Sequence, residues 1–257
     1  LPALDWIHAA AAFGAAFLAG VINSVAGGGT LITFPTLIWL GLNSVTANAT
    51  STVVVWPGTL GSSWGYRREL RATPHRLYLL VIPSLVGGLT GAWLLRFTPA
   101  AAFDKLVPFL LLFASLLLLA QDPVQRKLKS ADAAAHQSTK WLVGALLFQL
   151  IVGIYGGYFG AGMGIFMLAA LGVIGLTNIH QMNALRVVLG SSINGIAIVY
   201  FVANHMVYWP YVVVMVVGAI AGGYGGAGFA RRLGGTAVRR IVIFVGFGLA
   251  LSFFFRR

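Results

Sequence analysis

The run Asn183-Ala-Leu-Arg186-Val-Val-Leu-Gly190-Ser191-Ser192-Ile-Asn194 places one arginine inside an apolar segment that extends from residue 182 to residue 203. A helix of that length crosses roughly 30 Å of hydrocarbon at 1.5 Å per residue. An arginine near the middle of such a span costs about 2.5 to 3.5 kcal/mol on the insertion scale, so it needs a partner, a watery cavity or an anion. No carboxylate stands nearby in sequence, because Asp5, Glu69, Asp104, Asp122 and Asp132 all fall outside the apolar runs. Helix dipoles, polar side chains, water or a bound anion are left to compensate the charge, and an anion is the simplest of these.

The rest of the chain agrees with a membrane setting. Of its 257 residues 59% are hydrophobic and 9% charged, with a mean hydropathy of +0.89. That is too apolar for a soluble domain hiding its side chains in one core. The absence of strict apolar and polar alternation favours helices over a barrel. A net charge of +12 suggests nucleic acid in a soluble chain, but here lysine and arginine cluster beside apolar runs. The positive-inside rule accounts for that clustering without a nucleic acid partner. The chain has no cysteine, hence no disulfide, thiolate metal site or cysteine nucleophile. Asp5 precedes the first apolar run and no basic n-region is evident, which disfavours a signal peptide.

Apolar runs bounded by polar or glycine and proline punctuation predict ten segments: 8–25, 29–41, 47–65, 77–95, 102–120, 141–159, 162–176, 182–203, 207–229 and 238–255. The second and seventh are short and follow glycine breaks, so half-helices or re-entrant pieces are expected there. Thr73-Pro74 and Thr98-Pro99 read as cap and first-turn pairs that open segments four and five.

An internal repeat runs through the chain. Gly20 and Gly27-Gly28-Gly29 match Gly153 and Gly160-Ala161-Gly162 at an offset of 133 residues. Asn48-Ala49 matches Asn183-Ala184, and Gly87-Gly88-Leu-Thr-Gly91-Ala92 matches Gly222-Gly223-Tyr-Gly-Gly226-Ala227, both at 135. Basic residues follow the third segment in one half (Arg67, Arg68, Arg71, Arg76) and the fourth segment in the other (Arg231, Arg232, Arg239, Arg240). With five segments per half, both basic loops fall on one side, together with the connector. The expected architecture is an all-α polytopic membrane protein of two inverted-topology repeats. The first repeat covers 1–121, a cytoplasmic connector 122–140, and the second repeat 141–257. Arg256-Arg257 would lie on the far side, a mild exception to the charge rule.

In such folds the substrate binds near the midplane, where broken helices point amides at an anion. Gly28, Gly29 and Thr30 with Asn23 mark the first break, and Gly160, Gly162 and Met163 the second. Segments three and eight supply Asn48, Ser51 and Thr59 opposite Asn183, Arg186, Ser191 and Asn194. A pseudo-twofold axis would bring these together, and hydroxyls, amides and one guanidinium suit an oxyanion. The bland alternative for each serine and threonine is a bond to its own helix carbonyl. For the Gly87–Ala92 and Gly222–Ala227 motifs it is close helix packing, the favoured reading there. Trp56, Pro57, Trp64, Tyr155 and Tyr158 suit a permeation path or packing, Gln149 a cavity or a helix bridge, and His180 a proton carrier or an interfacial residue.

The motifs around Gly20–Pro35, Ala47–Ser51, Met182–Ala184, Ser192–Gly195 and Gly222–Ala227 resemble, in order and spacing, the sulfite exporter TauE/SafE family over nearly the whole chain. The resemblance implies a bacterial inner-membrane carrier of sulfite or small organosulfonates. The residues themselves point to a small anion and the family alone supplies the sulfur.

An anion channel, or a carrier of a different anion, is the alternative. No H-E-x-x-H motif or pair of intramembrane aspartates speaks for an enzyme. No metal or cofactor is expected. The partners expected are the anion and the lipid bilayer, with a homo-oligomer left open. Coupling through Asp or Glu is disfavoured, which leaves the anion's own protonation, His180 or the membrane potential.

Overall fold

The computed structural model describes residues 5–25, 28–65, 67–71, 75–129, 139–173, 176, 179–233 and 235–255. Each of the ten apolar segments is met by a helix. Helices α1 (Trp6–Val25) and α2 (Thr30–Trp39) flank the first glycine break, followed by α3 (Ser44–Gly65) and a short basic helix α4 (Arg67–Arg71). A 3-10 turn (His75–Leu80) leads into α5 (Val81–Phe97), and α6 (Ala100–Lys129) closes the first half. The second half holds α7 (Thr139–Tyr158), α8 (Met163–Val173), α9 (Ile179–Ala203), α10 (Trp209–Leu233) and α11 (Gly235–Phe255). Four stretches are long and apolar enough to span a bilayer: Trp6–Asn23, Leu77–Phe97, Ala100–Ala120 and Gln181–Ala203. Ile7, Val199, Val213 and Phe244 are among many apolar side chains exposed on the outside. A polytopic all-α membrane protein is the result, since only a helix satisfies its own backbone in lipid.

Local chemistry shifts several boundaries. Helix α3 starts ahead of its apolar run because the Asn43 side-chain oxygen accepts the Thr46 N–H at 2.9 Å, an N-cap that hydropathy does not register. Thr98 does not cap α6. Its hydroxyl donates back to the Leu94 carbonyl of α5 at 2.8 Å, while the Pro99 carbonyl accepts the Ala102 and Phe103 amides and opens α6. Thr73-Pro74 lies outside the described residues, as do 130–138 of the connector and Arg256-Arg257. The connector's first part, through Lys129, continues α6 as helix.

Backbone contact joins the helices in pairs. A side chain at Gly20 would run into the Ala219 carbonyl and one at Gly222 into that of Phe17, so α1 and α10 touch main chain to main chain. Gly91 stands against the Ile154 carbonyl and Gly157 against that of Gly88, which joins α5 to α7 in the same way. The repeated glycines Gly20, Gly87, Gly91, Gly153 and Gly222 therefore serve close packing.

The pattern of neighbours repeats between the halves. Contacts of α1 with α10, α3 with α10, α1 with α2, α2 with α3 and α2 with α11 have counterparts in α7 with α5, α9 with α5, α7 with α8, α8 with α9 and α8 with α6. The α3–α9 and α6–α11 contacts map onto themselves.

One side of the molecule gathers the start of α10, the end of α2 and the start of α3. There Tyr211 donates to the Leu40 carbonyl at 3.5 Å and the Tyr208 amide to the Thr50 hydroxyl at 3.0 Å. The ends of α5 and α7 reach the same side, with the Tyr158 hydroxyl 3.3 Å from that of Thr98. We refer to this as the first side. On the second side, Leu77, Leu80, Ala145, Leu171 and Met182 share a core that unites the 3-10 turn, the starts of α7 and α9 and the end of α8. Helices α2 and α8 thus each return toward the side from which the preceding helix began.

Candidate functional site

The two glycine breaks are turns that other residues would not enter readily. The chain takes a positive φ of 103° at Gly28, 76° at Gly160 and 75° at Gly162, the left-handed region where a Cβ is penalised. The first amides of α2 fold back into its turn: Leu31 donates to Gly28 at 3.0 Å, and Ile32 and Thr33 to Gly29 at 3.0 Å. Met163 donates to Gly160 at 3.3 Å and Ile165 to Gly162 at 3.0 Å. These amides are occupied within their turns, so side chains and the helix dipoles do more of the facing than sequence reasoning expected.

A cavity of about 130 Å³ lies between the breaks and the crossing of α3 with α9. Of the residues singled out from the sequence, Asn23, Gly28, Thr30, Thr59, Gly160, Gly162, Met163, Arg186 and Asn194 line it. Three lining pairs stand at the repeat offsets, Thr30 with Met163 at 133, Val55 with Gly190 and Thr59 with Asn194 at 135. Trp56 and Ser191, also 135 apart, touch: the indole N–H donates to the Ser191 carbonyl at 3.0 Å. Repeat-related residues in contact mark where a pseudo-twofold axis would pass, at the cavity's edge.

Arg186 is half-buried and its stem lies over the opening of α8. A Cβ added at Gly164 would be 3.1 Å from its Cδ and 3.5 Å from Nη1. A guanidinium beside the N-terminus of a helix meets partial positive charge, which is unfavourable by about 0.3–1 kcal/mol unless negative charge is also present. The lining of this cavity includes no carboxylate.

Five candidates lie elsewhere. Gly29 packs against α1, where an added Cβ would be 3.1 Å from the Ala19 carbonyl. Ser51 is fully buried with its hydroxyl 2.6 Å from that of Thr33, so it ties α3 to α2. Asn48 donates to the Tyr158 carbonyl at 2.9 Å. Ser191 donates to the Thr59 hydroxyl at 3.0 Å, one step behind the cavity wall. Asn183 sits about one turn from Arg186 and is not part of the lining.

Several hydroxyls take the local option: Thr36 bonds Ile32, Thr52 bonds Asn48 and Ser192 bonds Val188, all helix carbonyls. Gln149 bridges helices, donating to Ser84 of α5 at 2.8 Å. The His180 and Trp64 side chains lie outside the described residues.

The sequence reading missed Val55, Leu118, Gly164, Ile165, Met167, Val187 and Gly190. Val55 and Gly190 were findable, each being four residues before a lining residue (Thr59, Asn194) and so on the same helix face. Leu118 carries no signal, since an apolar residue on α6 looks the same facing lipid or cavity.

The sulfite exporter TauE/SafE family model matches residues 12–253. A "Probable membrane transporter protein" of Haemophilus influenzae is 29% identical over 232 residues, 90% of this chain and 88% of that one. The "Probable membrane transporter protein YfcA" of Escherichia coli K12 is 27% identical over 233 residues, 91% and 84%. A "Probable membrane transporter protein ORF9" of a Sinorhizobium species is 26% identical over 243 residues, 93% and 89%. No solved structure matches the chain.

Proposed function

The chain belongs to the sulfite exporter TauE/SafE family and is a multi-pass membrane transporter, and from that premise we propose that it exports small sulfur-containing anions, sulfite or short organosulfonates, by alternating access. The observation that carries the anion is Arg186, set over the opening of α8 in the wall of a cavity that both repeats line. Guanidinium, helix end, and the amides and hydroxyls of Asn23, Thr30, Thr59 and Asn194 give an oxyanion charge-assisted and neutral donors at once.

The neighbour pattern that survives exchange of the halves, with α1 and α10 starting on the side where α5 and α7 end, supports reading them as inverted repeats. On that reading the second side, where Arg67 and Arg71 of α4 stand, faces the cytoplasm of a bacterial inner membrane. The membrane potential, negative inside, then helps expel an anion.

Proteoliposomes loaded with sulfite or a two-carbon sulfonate test this directly. Saturable efflux that empty liposomes lack is the expected result. Equal leak from both, for every anion tried, would end the proposal.

A further inference from the structure

We propose that the bodies which move against each other are not the two halves of the sequence, and that Asn48, Phe34 and Phe159 form the gate closing the cavity toward the first side. The inference rests on the carrier reading above. Two mixed bodies emerge from the packing. Helices α1, α2, α3 and α10 form one, and α5, α7, α8 and α9 the other. The glycine seams lie inside these bodies, α1 on α10 and α5 on α7. Helices in main-chain contact over several turns do not slide past one another without large rearrangement, so each seam makes its pair one rigid unit.

The polar bonds sort the same way. Thr33 with Ser51, Tyr208 with Thr50 and Tyr211 with Leu40 hold the first body together. Gln149 with Ser84, Tyr155 with Ala161 and Tyr158 with Thr98 hold the second. Three bonds cross between bodies. Trp56 to Ser191 and Ser191 to Thr59 lie at the central crossing of α3 and α9. The third, Asn48 Nδ2 to the Tyr158 carbonyl at 2.9 Å, lies only four residues into α3 from the first side.

Beside that third bond an aromatic plug spans the same divide. Phe34 of the first body meets Phe159 of the second at 5.3 Å between ring centroids, both nearly or fully buried, with Phe103 of α6 edge-on to each. The second side is built differently. Asn183, the repeat counterpart of Asn48, is half-buried. Phe166 of α8 turns to Phe148 and Tyr155 within its own body, at 5.4 and 6.2 Å. The structure is therefore shut on the first side. Its gate is poised to release, because the Asn48 Oδ1 is buried without a partner, and a half-satisfied amide holds a closed state less firmly than a fully bonded one.

The cysteine-free chain makes the test clean. Asn48→Cys with Tyr158→Cys, oxidised with copper phenanthroline, links the bodies across contacting residues, within the short reach a disulfide needs. Efflux should fall at least about tenfold and return on reduction, since one of the two alternating states is removed. The same treatment of Ser84→Cys with Gln149→Cys, inside one body, should leave efflux unchanged. Unaltered efflux in the first pair when fully linked would overturn the proposal.

A second readout needs no transport. Val55→Cys in the cavity wall should be labelled by a membrane-impermeant maleimide from the second side while the gate is shut. Adding Asn48→Ala should admit label from the first side too. First-side labelling with the gate residues intact, or none after Asn48→Ala, would also overturn it. If the unmodified protein moves no anion, the carrier reading fails by itself and the sidedness of labelling still decides the gate.

Discussion

Arg186→Gln should lower anion affinity and efflux by roughly 10- to 150-fold, the equivalent of about 1.5–3 kcal/mol for a hydrogen bond to a charged group. The protein should still fold. Without anion its thermal stability should be equal or higher, because the variant removes a charge from beside the positive end of α8. A residue needed only for architecture would lose stability and transport together, so measuring both separates the two roles. Arg186→Lys should recover part of the loss, keeping the charge but not the planar fork. Gly164→Ala should act in the same direction as Arg186→Gln and more weakly, since its methyl would stand 3.1 Å from the Arg186 Cδ and displace the stem. A binding titration by thermal shift, with sulfite as ligand, reads all three variants.

The largest effect on stability is expected at Gly222. A methyl there would overlap the Phe17 carbonyl, and separating α1 from α10 enough to admit it costs about 1–3 kcal/mol or more by the usual scale of overpacking. Gly222→Leu should prevent the pair from docking and abolish folded yield. The neighbouring Gly223→Ala provides the internal control: an added Cβ meets nothing within 4 Å, and losing a glycine from a helix interior is worth about 0.5–1 kcal/mol in the stabilising direction. Adjacent residues should thus shift the detergent melting temperature in opposite senses. Two glycines that behaved alike would mean that the motif matters through composition rather than through contact.

How far the sequence led is clearest at particular residues. The ten segments were legible because hydropathy responds directly to the bilayer, and the repeat because glycine seams and helix breaks tolerate few substitutes. Arg186 was legible because a charge in an apolar run demands an explanation. Asn48, Ser51, Asn183 and Ser191 were expected around the cavity, since polar residues in a membrane attract the same inference whichever way they point. The direction is set by rotation about α3 and α9, which a single sequence leaves open when helices are apolar nearly all round. The partners Thr33, Tyr158 and Thr59 decide it, and three of those four residues are placed by such bonds or by the cavity's position rather than by their own chemistry. The mixed composition of the two bodies was hidden for a related reason: the repeat shows which helices correspond, not which ones touch.

The most direct measurement is a structure determined with a heavy-atom oxyanion, selenite in place of sulfite, located by its anomalous signal. The account predicts a peak within hydrogen-bond reach of the Arg186 guanidinium, between the opening of α8 and Thr59 and Asn194. Saturating selenite with no peak in that cavity, or with Arg186 turned to lipid, would contradict it.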